Sequence, residues 1–291
     1  MNVTNKQIQA YLLLLPAFVL LVGFTHFPAI ASLIDSFMST PKGSRPAVFV
    51  GLENYQVMIE DPIFWKSLVN NFWFAVITIP ASMAISIAMA IWINDKITGR
   101  SFLRMSYFLP TVMPMIAVAN IWIFFYTPDY GLINQVLQAL GFSSQNFLGD
   151  PSLALMSITI VAIWKEAGFF MIFYLAALQT LSPSYREAAQ IEGASKWYFF
   201  RRIQWPLLMP TTVFVLVNAL INAFRMVDHI FVMTNGGPNN ASSLLLFYLY
   251  EVGFKYWDSG YASALTVVLL CILAVVGLLQ FFLLDKRTHY R

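Results

Sequence analysis

Long apolar runs separated by short polar stretches set the layout of this chain: 8–34, 68–93, 102–126, 153–178, 207–233 and 261–284. Each run is long enough to cross about 30 Å of hydrocarbon as a helix. The pattern therefore predicts an all-α polytopic membrane protein with six transmembrane helices, read as one membrane domain over 1–291. A further apolar stretch, 244–250, is too short to span and predicts a short helix lying in the interface or dipping back into protein. Pro80, Pro110 and Pro114 fall inside predicted spans, where each can kink a helix. The first run follows Lys6, and Ala29-Ile30-Ala31 imitates a signal-peptide cleavage site. It is longer than a signal core, and Pro28 interrupts the approach to that site, so a retained helix is expected.

Composition agrees: at 59% hydrophobic and 11% charged residues, the chain has too little polar surface to cover a soluble globule. Most of its 17 Lys and Arg fall on one side of the predicted membrane: Lys6; Lys96, Arg100 and Arg104; Arg186, Lys196, Arg201 and Arg202; Lys286, Arg287 and Arg291. The other side holds Lys42, Arg45, Lys66 and Lys255. By the positive-inside rule both termini and the 182–206 segment are expected in the cytoplasm. The net charge of +3 then reflects topology, and no nucleic-acid partner is implied.

Absences narrow the function. There is no G-x-x-x-x-G-K-[ST] phosphate loop, so the chain is not expected to bind ATP itself. The polar segments on the outer side are too short for a soluble receptor domain. His26, His229 and His289 lack metal-ligand spacing, and no nucleophilic triad is recognisable, so neither a metal site nor a catalytic residue is assigned. The single cysteine, Cys271, lies in the last run and is expected to pack.

The 182–206 segment, between the fourth and fifth runs, carries the most specific pattern. Ser184 and Glu187 have capping-box spacing, and Pro183 suits a first helical turn. Ala188 and Ala189 are small enough for a partner to approach closely, Gly193 can take the left-handed conformation that ends a helix, and Ser195 can cap a second one. The order Glu187, Ala188, Ala189, then Gly193 and Ala194, then Ile203 and Pro206 resembles the EAA loop of the membrane subunits of bacterial ABC importers. Glu192 stands where that family usually has Asp, and Trp205 where it usually has Leu.

The resemblance covers nearly the whole chain after the first run and is most specific for carbohydrate permeases of the maltose and glycerol-phosphate type. Its motifs are Phe108-Leu109-Pro110 with Pro114 and Trp122, Tyr130 to Asn134, Leu140-Gly141, Thr234 to Pro238, and Gly260 to Ala264. It implies a type I importer permease fold in the bacterial cytoplasmic membrane, with 182–206 docking on an ATPase. It also implies a second homologous permease subunit, two ATP-binding subunits that hold ATP and magnesium, and an extracytoplasmic solute-binding protein. That protein is expected to meet the turn at Gly236, Gly237 and Pro238, where glycines break the fifth helix, proline prevents its resumption, and Asn239 and Asn240 favour turns.

A solute path is expected where polar residues sit at depth. Asn218, Asn222, Arg225 and His229 share one face of an uninterrupted fifth helix, and Asp228 is placed to pair with Arg225. Trp164, Lys165 and Glu166 lie at comparable depth in the fourth helix, the last two read as a pair, with Trp164 or Tyr174 as a platform for a sugar ring. The alternative is polar glue between helices or subunits. The chain is therefore expected to be a non-catalytic permease subunit of an ATP-driven carbohydrate importer. A secondary transporter would need ion-coupling residues and paired repeats, and a membrane enzyme or structural subunit would need no ATPase partner.

Overall fold

The computed structural model describes residues 3–95 and 99–284; of the charges used for topology, Lys96, Lys286, Arg287 and Arg291 lie outside them. Helices dominate. Five are long and apolar enough to cross a membrane, within Gln9–Asp35, Pro62–Asn94, Ala154–Thr180, Met209–Met233 and Ser259–Gln280, and a sixth span is present if one bent pair is counted as a single crossing.

The described residues sort into two compact units. One comprises Met1–Asp61 with Leu249–Ile272, the other Pro62–Tyr248 with Leu273–Arg291. The first begins with α1 (Val3–Leu21), a π turn and α2 (Phe27–Asp35), whose apolar side chains are exposed as a lipid-facing helix requires. After it, Asn54 on α3 (Glu53–Glu60) donates to the carbonyls of Ser36 and Met38, and the Tyr261 hydroxyl donates to Asp61 at 2.6 Å.

The second unit is built on α4 (Pro62–Asn94) and α8 (Ala154–Thr180), which pack against one another along their lengths. Ser82, Ser86 and Ala90, four residues apart, are fully buried on one stripe of α4, and small side chains there allow close approach. Phe74, Ile158, Phe170 and Tyr174 fill the core around them. Pro80 is accommodated within α4 without ending it.

The third apolar run does break. It forms α5 (Arg100–Val112) and α6 (Met115–Tyr126), which meet at 103°. The residue before a proline is pushed toward extended backbone, and Met113 sits at ψ 138° before Pro114 at ψ 141°. Between α6 and α8, α7 (Leu132–Ala139) is held through Asn134, which bonds Thr127 and Gln145. The fifth run breaks too, into α12 (Met209–Arg225) and α13 (Asp228–Met233), with Met226 extended at ψ 107° between them.

Candidate functional site

The 182–206 loop is a helix, a break and a second helical stretch. α9 (Pro183–Ile191) starts from Ser182, whose hydroxyl accepts the Ser184 N–H. The cap is thus two residues earlier than the capping-box spacing of Ser184 and Glu187 suggests, because Ser182 has the extended backbone a cap needs and Pro183 takes the first helical position. At the other end Gly193, at φ +68°, gives its N–H to Gln190 O, and Ala194 gives its N–H to Ala189 O. Those two bonds form a Schellman motif, which requires a left-handed residue where Gly193 stands. Ser195 then caps α10 (Lys196–Phe199) by accepting the Tyr198 N–H, and a π turn through Ile203 and α11 (Trp205–Leu207), with Pro206, lead into α12.

On α9, Glu187 and Ala188 are exposed while Ala189 is buried beneath them. Ile191 is 87% exposed and Tyr185 and Trp197 are also uncovered, so the loop presents a mixed apolar and acidic face. Arg186 pairs with Asp95, just past the end of α4, at 2.5 Å across half-exposed side chains. A small polar-rimmed cavity lies beneath the helix, between Asp95, Arg186, Ala189, Ala194 and Gln204.

At the other end of α13 the Gly-Gly-Pro turn is built differently. Asn235, Gly236, Asn239 and Asn240 all have positive φ, and the Gly237-Pro238 bond is cis. A Cβ on Gly236 would run into the Phe247 ring of α14 (Leu245–Tyr250), so the glycine is needed both for its backbone and for the space. Side chains near the start of α4 hold the turn: Lys66 donates to Asn239 O, Asn70 to Asn240 O and Ser243 O, and Ser67 to the Ser243 hydroxyl. Asn71, fully buried, donates to Ala223 O and accepts the Leu245 N–H. Sequence reading missed this set; its signal is the cluster of polar residues at 66, 67, 70 and 71, one helical face in an otherwise apolar segment.

The expected solute face is rearranged by the breaks. Glu166 is buried, and its Oε1 accepts from Asn222 at 2.9 Å, which ties α8 to α12. Its neighbour Lys165 points elsewhere and donates to Met113 O at 2.6 Å, so the two candidate path residues do not share one site. That carbonyl ends α5 and lost its helical partner at the 103° bend; a cation on it meets the negative helix end. Arg225 and Asp228 are exposed and are not an ion pair, because the break at Met226 and Val227 takes them off a common helix face. The same break turns His229 inward, fully buried with its ring 5.8 Å from Phe74, away from the face of Asn218, whose amide only bonds back to Phe214 O. Tyr174 is fully buried beside Thr212 and cannot be a platform in this conformation. Trp164 remains half-exposed, edge-on to Trp122 at the rim of an apolar cavity with Tyr107 and Pro110.

The family model described as "Binding-protein-dependent transport system inner membrane component" matches residues 82–290, which include the 182–206 loop, the Gly-Gly-Pro turn and both broken spans. The chain belongs to that family. Among curated relatives, this binding-protein-dependent permease is 33% identical over 282 residues to the probable ABC transporter permease protein YurN of Bacillus subtilis (strain 168), with 96% of each chain covered. It is 34% identical over 276 residues to the sulfoquinovosyl glycerol transport system permease protein SmoG of Agrobacterium fabrum, covering 93% of this chain and 90% of SmoG. The sn-glycerol-3-phosphate permease protein UgpA of the same organism is 31% identical over 286 residues, with 98% and 97% covered. In fold, the permease matches a chain of a crystal structure of a bacterial ABC transporter involved in the import of the acidic polysaccharide alginate, with a TM-score of 0.87, 23% identity and 98% of each chain covered. The protein is thus a multi-pass inner-membrane permease subunit of an ABC importer, with the importer permease fold and no catalytic role of its own.

Proposed function

We propose that this subunit carries a carbohydrate or a glycerol or sugar conjugate, delivered by an extracytoplasmic binding protein and moved by ATP that a partner subunit hydrolyses with magnesium. The curated relatives support the substrate class: their names cover a sulfoquinovosyl glycerol, glycerol phosphate, and trehalose or maltose. The partner set is a second permease chain and two ATP-binding subunits. Both termini and the 182–206 coupling loop lie in the cytoplasm, and the Gly-Gly-Pro turn faces the binding protein.

The coupling loop carries this reading. Its first helix exposes Glu187, Ala188 and Ile191 on a short rigid rod ended by a glycine, so a partner that grips the rod can swing it. ATP closes the ATPases, the loop follows, and the helices alternate between inward-open and outward-open states around a central site. In that site Asn222, held by the buried Glu166, offers its amide to hydroxyls, while Trp164 lines a separate cavity with Tyr107 and Pro110.

Reconstitution tests the proposal. The chain alone should neither hydrolyse ATP nor take up sugar, and uptake should appear only with the second permease, the ATP-binding subunits and the binding protein. Uptake that collapses with an ion gradient and ignores ATP depletion would instead indicate a secondary transporter. In the full complex, Asn222→Ala should weaken uptake while the subunits still co-purify. Normal uptake would remove Asn222 from the path.

A further inference from the structure

Next to the coupling loop, α4, the loop's second helical stretch, Trp205 and the middle of α12 line an open groove of about 930 Å³. Its walls are apolar: Ile79, Met83, Ile87, Ile91 and Leu216. At the loop end stand two cations, Lys196 and Arg201, both exposed. The ion pairs among the described residues are Arg186–Asp95 and Lys255–Glu251, so neither of these cations is ion-paired, although Lys196 also borders the small cavity that holds Asp95. Trp197 and Trp205 flank them. From Ile79 to Ile91 the groove runs about 18 Å along α4 at about 1.5 Å per residue, close to one leaflet of a hydrocarbon core about 30 Å thick.

We propose that this groove binds an anionic phospholipid of the inner leaflet, with acyl chain along α4 and phosphate between Lys196 and Arg201. The choice of leaflet rests on the cytoplasmic coupling loop proposed above. An apolar tail matches the walls, a phosphate supplies the charge the two cations lack, and the indoles sit where interfacial aromatics belong. A helix of a neighbouring chain is the rival occupant. It would cover both cations and leave them uncompensated unless it brought carboxylates to that end.

The test uses the assembled importer in nanodiscs of phosphatidylcholine mixed with phosphatidylglycerol, with retained lipid counted by mass spectrometry and a photo-reactive residue in place of Met83. Phosphatidylglycerol should be enriched by about fivefold per cation, the enrichment should fall with added salt, and the photo-probe should label lipid. Lys196→Gln with Arg201→Gln should abolish the enrichment, whereas Arg202→Gln, exposed and outside the groove, should keep it. No enrichment, enrichment unchanged in the double variant, or capture of a neighbouring chain by the probe would each overturn the proposal. If the double variant fails to assemble, Leu216→Trp fills the groove without changing charge and should cut lipid labelling; unchanged labelling would count equally against the site. Impermeant thiol labelling of Ser195→Cys in a Cys271→Ala background reports the side of the loop separately. Labelling from the outside would remove the inner-leaflet placement, while the enrichment assay would still decide whether the groove holds lipid.

Discussion

The 182–206 loop and the Gly-Gly-Pro turn are both bends punctuated by left-handed glycines, yet they are held in different ways. The loop is closed by bonds within its own sequence: a serine cap, a Schellman motif, a second serine cap. Among the described residues its ion pair is the half-exposed Arg186–Asp95 over a cavity, while Phe200 and Trp205 of its second stretch pack against the core. The turn is held by residues more than 150 positions away in sequence, Lys66, Ser67 and Asn70, with the buried Asn71 bonding the helices on either side of it. A helix closed by its own end bonds, as α9 is, can be re-aimed as a rigid piece. A turn bonded to side chains of another helix cannot move without breaking several of those bonds. If the 182–206 loop couples to an ATPase as proposed, it acts as a lever and the Gly-Gly-Pro turn as a brace.

If the turn is a brace, filling it should do the most damage. Gly236→Val would force positive φ on a β-branched residue and drive it into Phe247, at a cost of about 3 kcal/mol or more. The expected outcome is a fall in membrane yield and in thermal stability of the detergent-purified protein. Asn71→Ala should follow, at about 1–3 kcal/mol, because it leaves the Leu245 N–H and Ala223 carbonyl buried without their partner; unfolding of the two proteins side by side measures it. The loop should be far more forgiving. Arg186→Ala removes an exposed pair whose stabilisation is about 1 kcal/mol at most, so stability should barely change. Transport should fall modestly and return in the charge swap Arg186→Asp with Asp95→Arg. A large stability loss in Arg186→Ala would show that the loop is braced as firmly as the turn.

This difference also decides what was legible in the sequence. Gly193 and Ser195 could be placed because their bonds reach only three to five residues along the chain. The apolar runs were legible for the same reason, since each states its own length. Helical periodicity failed at Arg225, Asp228 and His229, because it assumes an unbroken helix and nothing local announces the break at Met226 and Val227. Pro114 did announce its bend, though not that the bend reaches 103° or that Lys165 would satisfy the freed carbonyl of Met113. The residues bracing the turn come from another helix, and pairing across that distance is not written in spacing.

Gly193→Val tests the lever most directly. A Cβ at Gly193 meets nothing within 4 Å, so the substitution adds no clash and acts through the strained positive φ alone, about 1–3 kcal/mol. The account predicts a complex that still assembles, with stability lowered by no more than that strain, but shows roughly tenfold or greater loss of both sugar uptake and binding-protein-stimulated ATP hydrolysis, the scale of such a strain. Gly193→Asn, which tolerates the left-handed backbone, should keep much of both. Near-normal coupling in Gly193→Val would contradict the claim that this helix end sets the angle at which the loop transmits force.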